Sequence, residues 1–322
     1  MRLLGFDPVP APPHVVLLDE RRLRYGQFLR DRQGFRFRAW REAALPRDAF
    51  QHGPLGGPLR DPAAFGQIVA ALVQGIPNPG VRDASLVVPD SWLRVTFTES
   101  GELPKTADAR DEVLRWKLRR LVPFRVEELR LGAAEVSPLP NQEEPRRLLL
   151  GFAVDQLLAQ VEDAFAAQGV RLGRITNTSL ALLAGLEQGE AGAATFTALV
   201  VVEDAGYTLV FARGGEPVLH RYKSFTGALP ESARASFVAR DLKLTRNFLD
   251  ENFPGAGIGG LLLAAPPELE PLWIDRLAEG LGRPAVPLDG RHLPALRAED
   301  GAAPPPWREL APMLGAARQE VA

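Results

Sequence analysis

Four histidines, at positions 14, 52, 220 and 292, and no cysteine are the chain's supply of imidazole and thiol chemistry. The histidines lack metal-ligand spacing, and without thiolates there is neither a zinc–thiolate site nor a cysteine nucleophile. His220 alternates within a strand-like run, which predicts a half-buried structural residue. Ser85, Ser91 and Ser179 lack the Gly-x-Ser-x-Gly elbow that exposes a hydrolase nucleophile. Asp155 stands at a helix start, where a carboxylate complements the dipole, and Glu162 and Asp163 fall on that helix's polar face, so no acid–base pair is assembled. The stretch GAGIGG at 255–260 precedes a strand instead of following one, the wrong geometry for a dinucleotide loop.

The chain that must position these groups has 322 residues, 46% hydrophobic and 24% charged, which predicts two or three domains with ample cores. A net charge of −2 gives no general attraction to nucleic acid or an anionic membrane. Basic residues are nearly all arginine, with lysine only at 105, 117, 223 and 243. Absence of cysteine excludes disulfides and leaves a reducing compartment unopposed. No apolar run approaches the ~20 residues of a membrane span, and the N-terminus lacks a secretory pattern. The expectation is a soluble cytoplasmic protein that docks on a membrane partner without inserting in the bilayer.

Residues 1–40 read as a β-meander, with apolar runs at Arg2–Phe6 and His14–Leu18, a polar turn at 19–22, a return over Leu23–Arg30, and Phe35–Trp40 alternating with arginine. Asp61 as N-cap and Pro62 at the first helical position open a helix whose stripe is Phe65, Ile68, Val69, Leu72 and Val73. Strand-like runs at Ser85–Pro89 and Trp92–Phe97 lead to a charged helix over Asp108–Leu121, where Trp116 accompanies Leu114, Leu118 and Leu121. Pro123 ends it and throws Phe124 forward. Strands at Val126–Val136 and Arg147–Val154, a helix over Gln156–Gln168 and a strand at Arg171–Thr176 complete a compact α+β module, and a helix at Ser179–Leu186 follows. The second half starts a new meander at Thr197–Glu203, Tyr207–Arg213 and Pro217–Lys223. A helix over Glu231–Asn252 comes next, with Phe237, Leu242, Leu244, Phe248 and Leu249 inward. A buried strand Gly259–Ala265, a helix Glu270–Gly280, a short strand Val286–Leu288 and a closing helix Trp307–Gln319 end the series. Two halves that each open with a meander imply an internal duplication.

The segments SLVVPDSWLRV (85–95), DEVLRWKLRRLVPF (111–124) and LLLGFAVDQLLAQVEDAFAAQGVRLGRITNTSLALLAG (148–185), with the tail PPPWRELAPMLGAARQ, resemble PilM-type proteins, the actin-like cytoplasmic components of type IV pilus machines. The resemblance covers nearly the whole chain. It implies an α/β, actin-like (ribonuclease H-like, duplicated) fold with an inserted α+β subdomain. The implied division is 1–83 for the first half of domain 1, 84–173 for the insertion, 174–195 for a returning helix and 196–322 for domain 2. The family's second insertion, a roof over the adenine, is reduced or absent, since Phe225–Pro230 passes almost directly into the long helix.

In that family two Asp-x-Gly turns grip phosphates through glycine amides. The resemblance aligns the first with Asp7–His14, where Val9 replaces the glycine, prolines replace hydroxyl residues and His14 replaces a lysine. Asp204 and Gly206 keep the second, in a form that is also that of an ordinary strand connection. A third, Gly-Gly-Gly in relatives, reads Leu263-Ala-Ala-Pro-Pro267. Prolines remove donors, so the expectation is a vestigial nucleotide site at Asp7, His14, Asp204 and Gly206, without ATP or magnesium and without turnover. The implied partner is the N-terminal cytoplasmic tail of a PilN-like bitopic membrane protein, held in a groove between the first subdomain and the inserted module. Arg115, Trp116, Arg119, Arg120, Val122 and Phe124 are expected to form or line that groove, and a pilus motor ATPase is a second candidate partner. Two alternatives stand beside this one. One is a working ATPase using Asp7 and Asp204 for magnesium and Gly206 for phosphate. The other is the equivalent component of a type II secretion system, which usually continues into a transmembrane helix where this sequence ends at Ala322.

Overall fold

The computed structural model describes residues 11–76, 82–140, 146–187, 195–225, 231–299 and 304–318. A meander of β1 (His14–Leu18), β2 (Arg22–Asp31) and β3 (Gly34–Ala44) is followed by α1 (Pro62–Gln74) and β4 (Arg82–Val88). Then come β5 (Arg94–Ser100), α2 (Ala107–Leu118), a 3-10 turn at Val126–Glu128, β6 (Leu129–Val136) and β7 (Arg146–Val154). The first half closes with α3 (Asp155–Ala166), β8 (Val170–Asn177) and α4 (Thr178–Gly185). The second half has β9 (Thr195–Glu203), β10 (Gly206–Arg213), β11 (Glu216–Ser224), α5 (Glu231–Asn252), β12 (Gly257–Ala264), α6 (Glu270–Leu281), β13 (Val286–Pro287), β14 (Leu296–Ala298) and α7 (Trp307–Arg318).

The strands form a six-stranded sheet ordered β14-β3-β2-β1-β4-β8, a five-stranded sheet ordered β11-β10-β9-β12-β13, and a three-stranded sheet ordered β5-β7-β6. Leaving aside β14 and the three strands of the small sheet, and counting from the first strand of each meander, both large sheets read third, second, first, fourth, fifth. The duplication expected from element order is therefore present in the topology itself. Both large sheets are covered on two faces, which is why β1 and β9 are continuous apolar runs. The pleat sends Val16 and Leu18 into a core with α1 and α3, and Val15 and Leu17 into a core with α4 and α7. Leu199 and Val201 of β9 enter the second of these cores, while Phe196, Ala198, Val200 and Val202 face α5 and α6. One apolar layer thus joins the two halves.

The helix at 62 is capped as its sequence predicts: Asp61 accepts from the Ala64 N–H at 2.9 Å, and Phe65, Val69, Leu72 and Val73 are buried. Other expectations need correction. β4 lies between β1 and β8, and α3 packs on α1, so the insertion is β5, α2, β6 and β7, residues 94–154, and not 84–173. The 196–322 block does not stay in the second half. β14 pairs in parallel with β3, and α7 packs on α4 so tightly that a Cβ on Gly315 would collide with the Ala181 carbonyl. Leu244 and Leu121, both expected inward, are 53% and 50% exposed. Asp155 is the first residue of α3 and receives the Arg130 guanidinium at 2.7 Å. The Arg2–Phe6 run lies outside the described residues, and the meander starts at His14.

Candidate functional site

Between the insertion and the first large sheet lies an open groove of about 500 Å³. Its walls include Arg130–Ala134 of β6 and Leu172–Thr176 of β8, five consecutive residues from each. Successive side chains of a strand point to opposite faces, so an unbroken run lines a space only where the strand presents its edge. Both are edge strands in their sheets, with one row of N–H and C=O groups turned away from their neighbours. The floor is bare at its centre because Gly132 pairs with Gly151 across β6 and β7. At one end Arg130 is gripped by Asp155 and Glu162 of α3, each at 2.7 Å. Leu93, Val95, Leu149, Leu158 and Ile175 supply apolar wall.

None of the six residues expected along the groove lines it. On β7 the pleat alternates: Leu149 and Gly151 face the groove, while Leu148 and Leu150 pack with Leu114 and Leu118 of α2. Helix α2 therefore sits on the opposite face of the three-stranded sheet. Arg115 bonds Asp111 at 2.5 Å and the Val126 carbonyl. Arg119 pairs with Glu127. Val122 and Phe124 are half-buried against the α2 core, the Phe124 ring 6.3 Å from that of Phe152. Trp116 is 54% exposed, with the Arg120 guanidinium 4.8 Å from its ring centroid. Spacing could not reveal the groove, because its two edges are brought together by residues some forty positions apart.

The expected phosphate turns are placed differently as well. Asp7 lies outside the described residues. His14 begins β1, buried beside Tyr25 at 5.6 Å, and burial with the Arg82 charge lowers its pKa to about 4. The turn between the first two strands is Asp19-Glu20-Arg21. There the Asp19 carboxylate already accepts from the N–H groups of Arg21 (2.8 Å) and Arg22 (2.9 Å), the donors an anion would need. The matching turn of the second half holds Asp204 and Gly206. Gly206 is a ladder residue between Glu203 and Ser224, where a Cβ would strike the Lys223 carbonyl, so crowding within the sheet demands the glycine. Arg21 and Asp204 meet at 3.5 Å, linking the two turns. In the third turn the Pro266 carbonyl accepts from Leu269 and Glu270, and its two prolines have no N–H to offer. In the first turn the Arg21 and Arg22 amides are thus spent on Asp19, and in the third the prolines have none to give.

Below the turns is a cluster the sequence did not disclose. The Ser179 hydroxyl lies 2.5 Å from Asp90 Oδ1 and 2.8 Å from His220 Nε2, all three fully buried. Asp90 follows β4 and Ser179 opens α4, whereas His220 belongs to β11, so the cluster bolts one half to the other. The serine sits between acid and imidazole, not the imidazole between serine and acid as a hydrolase requires. Burial raises the Asp90 carboxyl well above the carboxylate range. Burial, then the nearby Asp90 charge, raises Glu203 similarly, and burial lowers His220 to about 3. The two carboxyls thus hold their protons to unusually high pH and the imidazole stays neutral, so the clamp carries less charge than the same groups would in water. Beside it a cavity of about 230 Å³ is lined by Thr178, Glu203, Pro266, Asp289 and Trp307, below the roughly 300–1,000 Å³ of ligand pockets. Among the described residues no group of three or more His, Asp or Glu side chains is arranged to hold a metal ion.

No protein-family model matches the sequence, and no curated protein does. Solved structures do. A chain of a PilM-PilN type IV pilus biogenesis complex aligns over 97% of this chain and 97% of its own, with a TM-score of 0.68 and 16% identity. The cytoplasmic domain of EpsL, an inner membrane component of the type II secretion system of Vibrio cholerae, covers 95% of this chain and 94% of its own at a TM-score of 0.49 and 11% identity. The ethanolamine utilization protein EutJ from Carboxydothermus hydrogenoformans covers 97% and 91%, at 0.46 and 10%. Identity this low speaks to the fold alone: with two large sheets of related strand order and an insertion in the first half, the chain has an actin-like fold, similar over nearly its whole length to that chain of the PilM-PilN complex.

Proposed function

We propose that the chain is a cytoplasmic adaptor of a type IV pilus inner-membrane platform. It takes the N-terminal tail of a PilN-like bitopic membrane protein into the groove between β6 and β8, and it does not turn over ATP. The observation that carries this reading is the pair of strand edges facing one open groove. An extended peptide entering there gains main-chain hydrogen bonds from an edge, and the Gly132–Gly151 floor leaves room for its side chains. The occupied turn amides and the buried clamp below them support a fold retained for shape, with the halves held by Asp90, Ser179 and His220 in place of a bound nucleotide. The chain reaches the membrane through its partner, since no helix among the described residues is long and apolar enough to cross one.

Calorimetric titration with the partner's synthetic tail and with its scrambled sequence tests the first part. Saturable heat for the native tail alone is expected, and equal behaviour of both peptides refutes it. Incubation with Mg-ATP tests the second, where steady release of inorganic phosphate overturns the adaptor without turnover.

A further inference from the structure

Within Arg115–Arg125 the sequence RWKLRRLVPFR holds five cations and no acid, in a chain whose net charge is −2. These residues form the C-terminal half of α2 and the turn beyond it, and they divide by direction. Leu114 and Leu118 fill the core of the insertion, Arg115 reaches the Val126 carbonyl, and Lys117 reaches the Glu99 carbonyl at 2.6 Å. Trp116 and Leu121 point outward, 54% and 50% exposed, although the core beneath is already complete. Arg119, Arg120, Pro123 and Arg125 are exposed around them. Arg120 stacks on the indole, keeping its donors outward.

Carboxylates face the same surface: Arg119 pairs with Glu127, Arg125 with Glu128 at 3.3 Å, and Asp111 and Glu112 lie one turn back. Residues 110–128 still carry six cations against four acids. Exposed ion pairs of this kind are weak, so a guanidinium exchanges its carboxylate for a lipid phosphate at little cost. A peptide partner needs a trough, and these side chains stand on the outer side of a helix end. An outward indole and leucine ringed by arginines match the headgroup layer, where aromatic rings rest at the interface and basic groups meet anionic lipid.

We propose that Trp116, Arg119, Arg120, Leu121 and Arg125 form a contact site for an anionic bilayer surface. It rests on the adaptor reading only in that a membrane-anchored tail brings the chain to a bilayer. Omitting the tail peptide from the assay makes the two readings fail separately. The test is co-sedimentation of the full chain with phosphatidylglycerol–phosphatidylcholine vesicles and with phosphatidylcholine vesicles. Binding to the anionic vesicles alone is expected, weakened at least ~10-fold by high salt. Arg119→Glu with Arg120→Glu, and separately Trp116→Ala with Leu121→Ser, lose ~10-fold or more, whereas Trp116→Tyr, which keeps an interfacial ring, retains binding. These side chains are exposed, so an unchanged melting temperature accompanies the loss. Absent binding to anionic vesicles, equal binding to neutral ones, or variants that bind like the parent each overturn the proposal. So does a patch whose substitution abolishes a protein contact and leaves vesicle binding intact.

Discussion

Replacing Gly132 by phenylalanine separates the groove from every other feature. Gly132 lies at the centre of β6, opposite Gly151, and its backbone is not left-handed. A Cβ there meets nothing within 4 Å, so the substitution is free of collision. Exchanging glycine for an aromatic in a strand stabilises by up to about 1 kcal/mol, so the melting temperature stays level or rises. The ring, however, projects into the space where a tail would lie. Two outward-facing residues of the Leu172–Thr176 edge offer about four main-chain hydrogen bonds, each worth roughly 1 kcal/mol net. Losing them removes about 4 kcal/mol, on the order of a 10³-fold weaker complex. Calorimetry with the tail peptide and a thermal melt read both quantities. Trp116→Ala is the control: its side chain lies on the far face of the sheet, and tail affinity is unchanged. A folded Gly132→Phe protein that binds the tail with parental affinity refutes the groove, and loss in Trp116→Ala alone restores α2 as the binding face.

Four further outcomes follow from the packing, the helix cap and the buried cluster. Asp90 and Glu203 have raised pKa values in the folded chain, about 7 and about 8. The folded state therefore keeps protons that the unfolded chain releases, and stability falls as pH rises from about 4 towards 8. Denaturant titrations between about pH 6.5 and 8, above the range in which the histidines act, show the fall in the parent and a shallower one in Glu203→Gln, and parental stability that climbs steadily over that window contradicts carboxyls that keep their protons. His220 and His14, lowered to about 3 and about 4, act on the other limb: stability is complete above about pH 6.5 and drops as pH falls towards those values. His220→Gln reduces the acid slope in the same titration. Gly315→Ala forces α4 and α7 apart against the Ala181 carbonyl and costs roughly 1–3 kcal/mol in denaturant unfolding, while Asp61→Ala loses the α1 cap and costs about 1 kcal/mol.

Local order was legible because it depends on local rules. Asp61-Pro62 announced α1, the double meander announced the duplication, and continuous apolar runs announced strands covered on both faces. Periodicity misjudged Leu121 and Leu244, because an apolar residue at a helical spacing does not record whether anything is packed over it. The resemblance places the first nucleotide turn at Asp7, whereas the turn that joins β1 to β2 is Asp19–Arg21, twelve positions on.

What the sequence by itself determined is the set of elements, their order and the absence of thiol chemistry, since each follows from residue type over short windows. Only the tertiary structure decided which edges face each other and which charges survive. Arg130–Ala134 and Leu172–Thr176 are unremarkable strands until sheet order turns one edge of each towards a common groove. Asp90, Ser179 and His220, spread over 130 positions, become one clamp with a raised acid and a lowered imidazole only because folding takes them out of water, and desolvation is a property of the packed site, not of any residue in it.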